Sequence, residues 1–218
     1  MERIREYCHA YCETALTPLA RLLLRLHVSA NQVTVAGVLL NVVAAVLIVA
    51  DQPVLAGLFF LAGGVLDLLD GVLARLAKMA TPFGAFLDST LDRVSEGVLF
   101  AAIAYRFALE GAAFDAGLTV LALLGSLLVS YTRARAEGLS VQCKGGLVTR
   151  AERVILLAAG LLSGLLAYVI YLLVVTTGFT VIQRIVSTFR RIAAPGGAGK
   201  MRNGHAVGPS GTENSSSD

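Results

Sequence analysis

The sequence predicts an all-α integral membrane protein, with six transmembrane helices preceded by an N-terminal interfacial amphipathic helix. Three observations lead there. Hydrophobic residues make up 56% of the 218 positions and charged residues only 15%, with a mean hydropathy of +0.74, against about 25% charged residues in a soluble domain. The apolar residues run in stretches long enough to cross about 30 Å of hydrocarbon. Basic residues gather at alternate ends of these stretches, as they do in multi-pass proteins.

Residues 1–28 mix apolar and charged positions, with Arg3, Arg5, Arg21 and Arg25 available to lipid headgroups, and predict an interfacial helix broken near Pro18. Ser29 to Thr34 offers capping residues before an apolar run to Ala50, the first span. A polar turn at Asp51 to Pro53 leads to a second span, Val54 to about Ala77. Lys78 to Pro82 reverses the chain into a third span, about Phe83 to Ala108. The fourth covers about Phe114 to Tyr131 and runs into Arg133, Arg135 and Glu137. A fifth begins near Arg150, and the division from the sixth falls around Ser163 to Ala167, with five spans in all as the competing count. The last helix ends near Arg191, so the membrane domain is residues 29–192 and residues 193–218, rich in Gly, Ser and Asn, form a disordered tail.

The formal net charge of +3 is modest, and its distribution points to an anionic membrane surface, not to nucleic acid. Arg75, Lys78, Arg133, Arg135, Lys144, Arg150, Arg153, Arg190 and Arg191 fall on one side with the N-terminus. That places the protein in the cell membrane with both termini cytoplasmic. The first 26 residues carry no cleavable apolar core of a signal peptide. Cys8, Cys12 and Cys143 are an odd number of thiols outside any small secreted scaffold and are expected free. Cys8, His9 and Cys12 lack the further ligands a metal site needs.

Within this apolar chain, residues 67–92 (DLLDGVLARLAKMATPFGAFLDSTLD) set four acids into membrane-length helices. At about 100° per residue, Asp67, Asp70, Gly71 and Ala74 share one helix face, and Gly84, Asp88 and Asp92 share a face of the next. Two acidic stripes at one depth repel each other unless a cation lies between them. Oxygen donors without convergent His or Cys favour Mg²⁺, with Mn²⁺ as a substitute, and a pair of ions is the simplest occupant. Divalent metal implies phosphate chemistry. Gly71 and Gly84, lacking Cβ, let a bulky ligand approach the backbone or else let helices pack closely, and Arg75 offers a fork for phosphate oxygens.

The pattern D-x-x-D-G-x-x-A-R, eight residues, G-x-x-x-D-x-x-x-D, with eight fixed positions, resembles the signature of the CDP-alcohol phosphotransferase family. The likeness extends from about Leu16 to Arg191. It implies transfer of a phosphatidyl group from CDP-diacylglycerol to an alcohol, with release of CMP. It also implies metal ligation by Asp67, Asp70 and Asp88, with Asp92 as the base that also reaches metal, and nucleotide contacts from Gly71, Ala74, Arg75, Thr81 and Gly84. Members resembling this chain are commonly homodimers. The runs SYTRARAEG and KGGLVTRAERVIL further resemble the bacterial phosphatidylinositol phosphate synthases, which use inositol 1-phosphate. On that likeness Arg133, Arg153 and Arg184 bind the acceptor's phosphate. Arg133 stands where those synthases carry Lys, and Thr149 and Ala151 replace the Glu and Pro that flank an arginine. Glycerol 3-phosphate, inositol and serine are the alternative acceptors.

Two other classes compete. A cation transporter predicts acids spread along a pathway, often with an inverted repeat. A redox-iron carboxylate bundle predicts Glu-x-x-His pairs, whereas His9, His27 and His205 all lie outside the core spans.

Overall fold

The computed structural model describes the backbone of residues 2–77, 81–141 and 146–193, with side chains from residue 14 onward. The side chains of Arg3, Arg5, Cys8, His9 and Cys12, the residues Lys78, Cys143 and Lys144, and the expected tail with His205 lie outside it. Seven helices are described: α1 (Glu2–Arg25), α2 (Ala30–Val49), α3 (Pro53–Leu76), α4 (Pro82–Leu109), α5 (Ala113–Gly138), α6 (Arg150–Ser163) and α7 (Leu166–Ala193).

Local chemistry sets their ends. Ser29 caps α2 in a reciprocal box with Gln32, its backbone N–H donating to Gln32 Oε1 at 2.8 Å. Proline opens α3 and α4 at their first positions, where its missing N–H costs nothing. Thr149 and Glu152 form the corresponding box at the start of α6. Gly164, at φ +73°, ends α6 in the left-handed conformation and separates it from α7 within the expected window. Pro18 does not break α1, contrary to the sequence expectation. The single backbone hydrogen bond it forfeits is outweighed by the packing of Leu16, Ala20, Leu23 and Leu24 around Val33, Leu69, Val72 and Leu73.

Among the described residues four helices, α2, α3, α5 and α7, are long and apolar enough to cross a bilayer. Helix α4 matches them in length with 28 residues but carries Asp88, Asp92, Arg93, Glu96 and Arg106. Helix α6 has 14 residues, a rise of roughly 21 Å. Polarity is inverted relative to a soluble protein: Leu39, Val46, Val120, Val175 and Ile182 are exposed, whereas Asp70, Arg153 and Arg184 are buried.

Packing follows two linked circuits. Helix α2 packs on α3 and α4, and α3 on α6; α5 packs on α4 and α7, and α7 on α6. Both circuits close across the space between α4 and α6. In one half of the molecule that space is filled by Leu99, Phe100 and Ile103 against Leu157, Leu161 and Ile170. In the other half charged side chains fill it. Small residues bring the remaining helices together, as where Gly125 of α5 meets Thr177 of α7 with no room for a Cβ. Replacing Gly125 by Val is expected to overpack this contact and cost about 1–3 kcal/mol, read as a lowered thermal unfolding midpoint in detergent.

Candidate metal and phosphate site

The acids converge where α3 ends and α4 begins. Asp67, Asp70 and Asp88 each place an oxygen within 4.8 Å of the other two. At an effective dielectric of about 20, two unit charges at that separation repel by about 3 kcal/mol. Local partners offset only part of this. Thr34 of α2 donates to Asp70 Oδ2 at 2.6 Å, while Asp88 Oδ1 is buried with no hydrogen-bond partner. Three hard oxygen donors with one acceptor left unsatisfied fit a divalent cation.

Asp92 stands outside that trio. Its Oδ1 pairs with Arg150 Nη2 at 2.8 Å, and Arg93 lies 3.8 Å from its other oxygen. Arg150, the first residue of α6, also donates to Asp67 and so ties α6 to both α3 and α4. One turn further along each helix, Arg153 meets Glu96 through two hydrogen bonds of 2.9 and 3.2 Å. These two rungs span the polar half of the α4–α6 space.

A cavity of about 200 Å³ opens beside the acids, lined by Asn31, Thr34, Asp70, Asp88 and the small residues Gly71, Ala74, Gly84 and Ala85, with Arg75 and Thr81 at its walls. A Cβ on Gly71 would meet nothing nearer than the Arg75 guanidinium at 3.5 Å, so this glycine faces the cavity and no neighbouring helix. Thr81 has a structural task as well, accepting from the Gly84 N–H at 3.0 Å as the cap of α4. All five residues expected to face the nucleotide therefore line one cavity.

The three expected acceptor cations sit differently. Arg153 is 1% exposed and shares a small cavity with Asp92, Glu96 and Arg150. Arg184 is buried in α7, where it donates to the Val129 carbonyl of α5 and lies beside Gly146. Arg133 is exposed and pairs with Glu137 one turn along α5 at 2.9 Å.

Sequence reasoning missed Thr34, Asn31, Glu96 and the bridging part of Arg150. Glu96 was discoverable, since it continues the four-residue spacing of Asp88 and Asp92 along α4. Thr34 was not, because only the packing of α2 on α3 brings it to Asp70.

Comparison with known proteins decides the family, since its model, described as CDP-alcohol phosphatidyltransferase, matches residues 27–188. The chain belongs to that family. It is thus a transferase of phospholipid biosynthesis, and the transporter and redox-iron classes fall away. Among its relatives are an archaetidylinositol phosphate synthase of Methanothermobacter thermautotrophicus, 37% identical over 77% of this chain and 87% of the relative. A phosphatidylinositol phosphate synthase of Corynebacterium glutamicum is 34% identical over 80% and 84% of the two chains. Crystal structures of the Mycobacterium tuberculosis phosphatidylinositol phosphate synthase share the fold. The one with CDP-DAG bound has a TM-score of 0.75 and 30% identity, and covers 84% of this chain and 96% of that one. Another contains manganese and citrate, with a TM-score of 0.72 and 29% identity over 80% and 88% of the two chains.

Glu96→Ala is expected to leave the Arg153 guanidinium buried and unpaired, at a cost of about 3–5 kcal/mol. Much of that loss should return in the double variant Glu96→Leu, Arg153→Met. Thermal unfolding of the single and double variants in detergent checks both.

Proposed function

We propose that this enzyme transfers the phosphatidyl group of CDP-diacylglycerol to inositol 1-phosphate, giving phosphatidylinositol phosphate and CMP. The observation that carries the reading is the convergence of Asp67, Asp70 and Asp88 on a cavity lined by Gly71, Ala74, Arg75, Thr81 and Gly84. Relatives named for two different lipids, archaetidyl and phosphatidyl, share inositol phosphate in their names, which supports the acceptor.

Asp67, Asp70 and Asp88, with Asp92 beside them, would hold two Mg²⁺ or Mn²⁺ ions. Bound there, the metal neutralises phosphate oxygens and the charge that builds on the leaving CMP. The chain's own groups do the rest. Gly71 and Gly84 let the diphosphate lie close to the helix backbones, and Arg75 offers two parallel N–H donors to its oxygens. Asp92, steadied by Arg150, takes the proton of the acceptor hydroxyl as its oxygen bonds to the diacylglycerol-bearing phosphorus and the bond from that phosphorus to CMP breaks. Arg153, Arg184 and Arg133 supply positive charge for the acceptor's own phosphate.

In the membrane, residues 29–192 form the catalytic domain, with α4 and α6, whose charged faces meet inside the bundle, completing six spans. Residues 1–28 lie along the surface. The basic end, with the acids and both termini, faces the cytoplasm, and two copies pair as a homodimer.

Purified protein in lipid should release CMP from CDP-diacylglycerol only when Mg²⁺ or Mn²⁺ and an acceptor are both present. In a screen of inositol 1-phosphate, glycerol 3-phosphate, inositol and serine, the first should turn over fastest. Turnover with another acceptor and none with inositol 1-phosphate overturns the acceptor and leaves the reaction class. Asp92→Asn should lower kcat at least about a hundredfold, whereas Arg153→Ala should chiefly raise the acceptor KM.

A further inference from the structure

We propose that Gly146 is a positioning residue for acceptor binding: its backbone lies against the Arg184 guanidinium and, together with the Val129 carbonyl, fixes where that charge is presented. This rests on the reading of Arg184 as a cation for the acceptor's phosphate.

Gly146 meets two constraints that suit glycine alone. Its φ is +147°, a backbone conformation that residues with a Cβ rarely adopt. The space a side chain would need is also taken. A Cβ at this position would lie 3.0 Å from Arg184 Nη2, 3.3 Å from Arg184 Nε and 3.0 Å from Thr180 Cγ2. Thr180 and Arg184 are one turn apart on α7 and both are buried, so the backbone that leads into α6 is seated on an inner face of α7.

Neither neighbour yields cheaply to a methyl group. Arg184 donates from Nη1 to the Val129 carbonyl of α5, while its Nε and Nη2 lie against Gly146. The planar guanidinium is thus held from both α5 and the loop, and it moves away from a new Cβ only by straining the bond to Val129. Thr180 Oγ1 donates to the Thr176 carbonyl at 2.7 Å, which keeps its methyl group against Gly146.

A buried guanidinium held in this way has little freedom to search for its ligand, so a small displacement is felt in binding. The charge comes from Arg184, and its place comes from Gly146 and Val129. Gly146 touches no substrate in this scheme and acts through Arg184.

The test is steady-state kinetics of the purified full chain in lipid, with Mg²⁺, CDP-diacylglycerol and the phosphorylated acceptor that turns over fastest in the screen above. Gly146→Ala should raise the acceptor KM at least about tenfold, with kcat and the KM for CDP-diacylglycerol within about twofold of wild type. In an Arg184→Gln background the same substitution should change the acceptor KM by less than about twofold, because the group it displaces is gone. An unchanged acceptor KM in Gly146→Ala overturns the proposal. So do effects that multiply in the double variant, which would mean that Gly146 acts through the start of α6. Should Gly146→Ala not fold, Arg184→Lys decides the matter. Lysine keeps the charge but lacks the planar fork held between Gly146 and Val129, so it should raise the acceptor KM about as far as Arg184→Gln does. A lysine variant with the wild-type KM shows that charge suffices without that placement, and overturns the proposal. Arg184→Gln with an unchanged acceptor KM sinks the acceptor reading of Arg184 and this proposal together, whereas a raised KM there beside an unchanged one in Gly146→Ala sinks the proposal alone.

Discussion

Like charges gathered inside an apolar helix bundle dominate the design of this molecule. Asp67, Asp70 and Asp88 approach within 4.8 Å of one another in a protein whose outer face is Leu, Val, Ile and Phe. No packing of apolar side chains compensates such a cluster, so the surrounding helices must deliver opposite charge, hydrogen-bond donors and space for a cation. Thr34, Arg150 and the cavity beside Gly71 are those three provisions.

The two linked circuits of helices explain how this is reconciled with a stable fold. Where the α4–α6 space is apolar, Leu, Phe and Ile side chains fill it and hold the bundle together. Where it is polar, Arg150 and Arg153 span it with long side chains that reach acids on the opposite helix. A single space between two helices thus serves as core at one end and as site wall at the other. The arginine stems bring their own apolar methylenes, which suits a partly dehydrated setting better than a short cation does.

Much of this was legible in the chain itself. The ends of α2, α3, α4 and α6 follow from Ser29, Pro53, Pro82 and Thr149, whose chemistry acts over a few residues. The acids and glycines of residues 67–92 announced their shared faces through helical spacing alone. Pro18 misled because a proline's local cost was weighed without the packing of α1 on α3 that outweighs it. Arg153 and Arg184 could be marked as unusual for their setting, but their partners, Glu96 and the Val129 carbonyl, lie 57 and 55 residues away.

Sequence by itself therefore determined the class of protein, the starts of α2, α3, α4 and α6 and the faces that carry the four carboxylates, because hydropathy, capping and the 3.6-residue period are all local quantities. Only the tertiary structure decided that Asp67, Asp70 and Asp88 form the tightest cluster and that Arg150 joins Asp92 to Asp67. The reason is physical. Which charges meet across a bundle depends on the register and spacing of helices far apart in the chain, and no window of neighbouring residues carries that information.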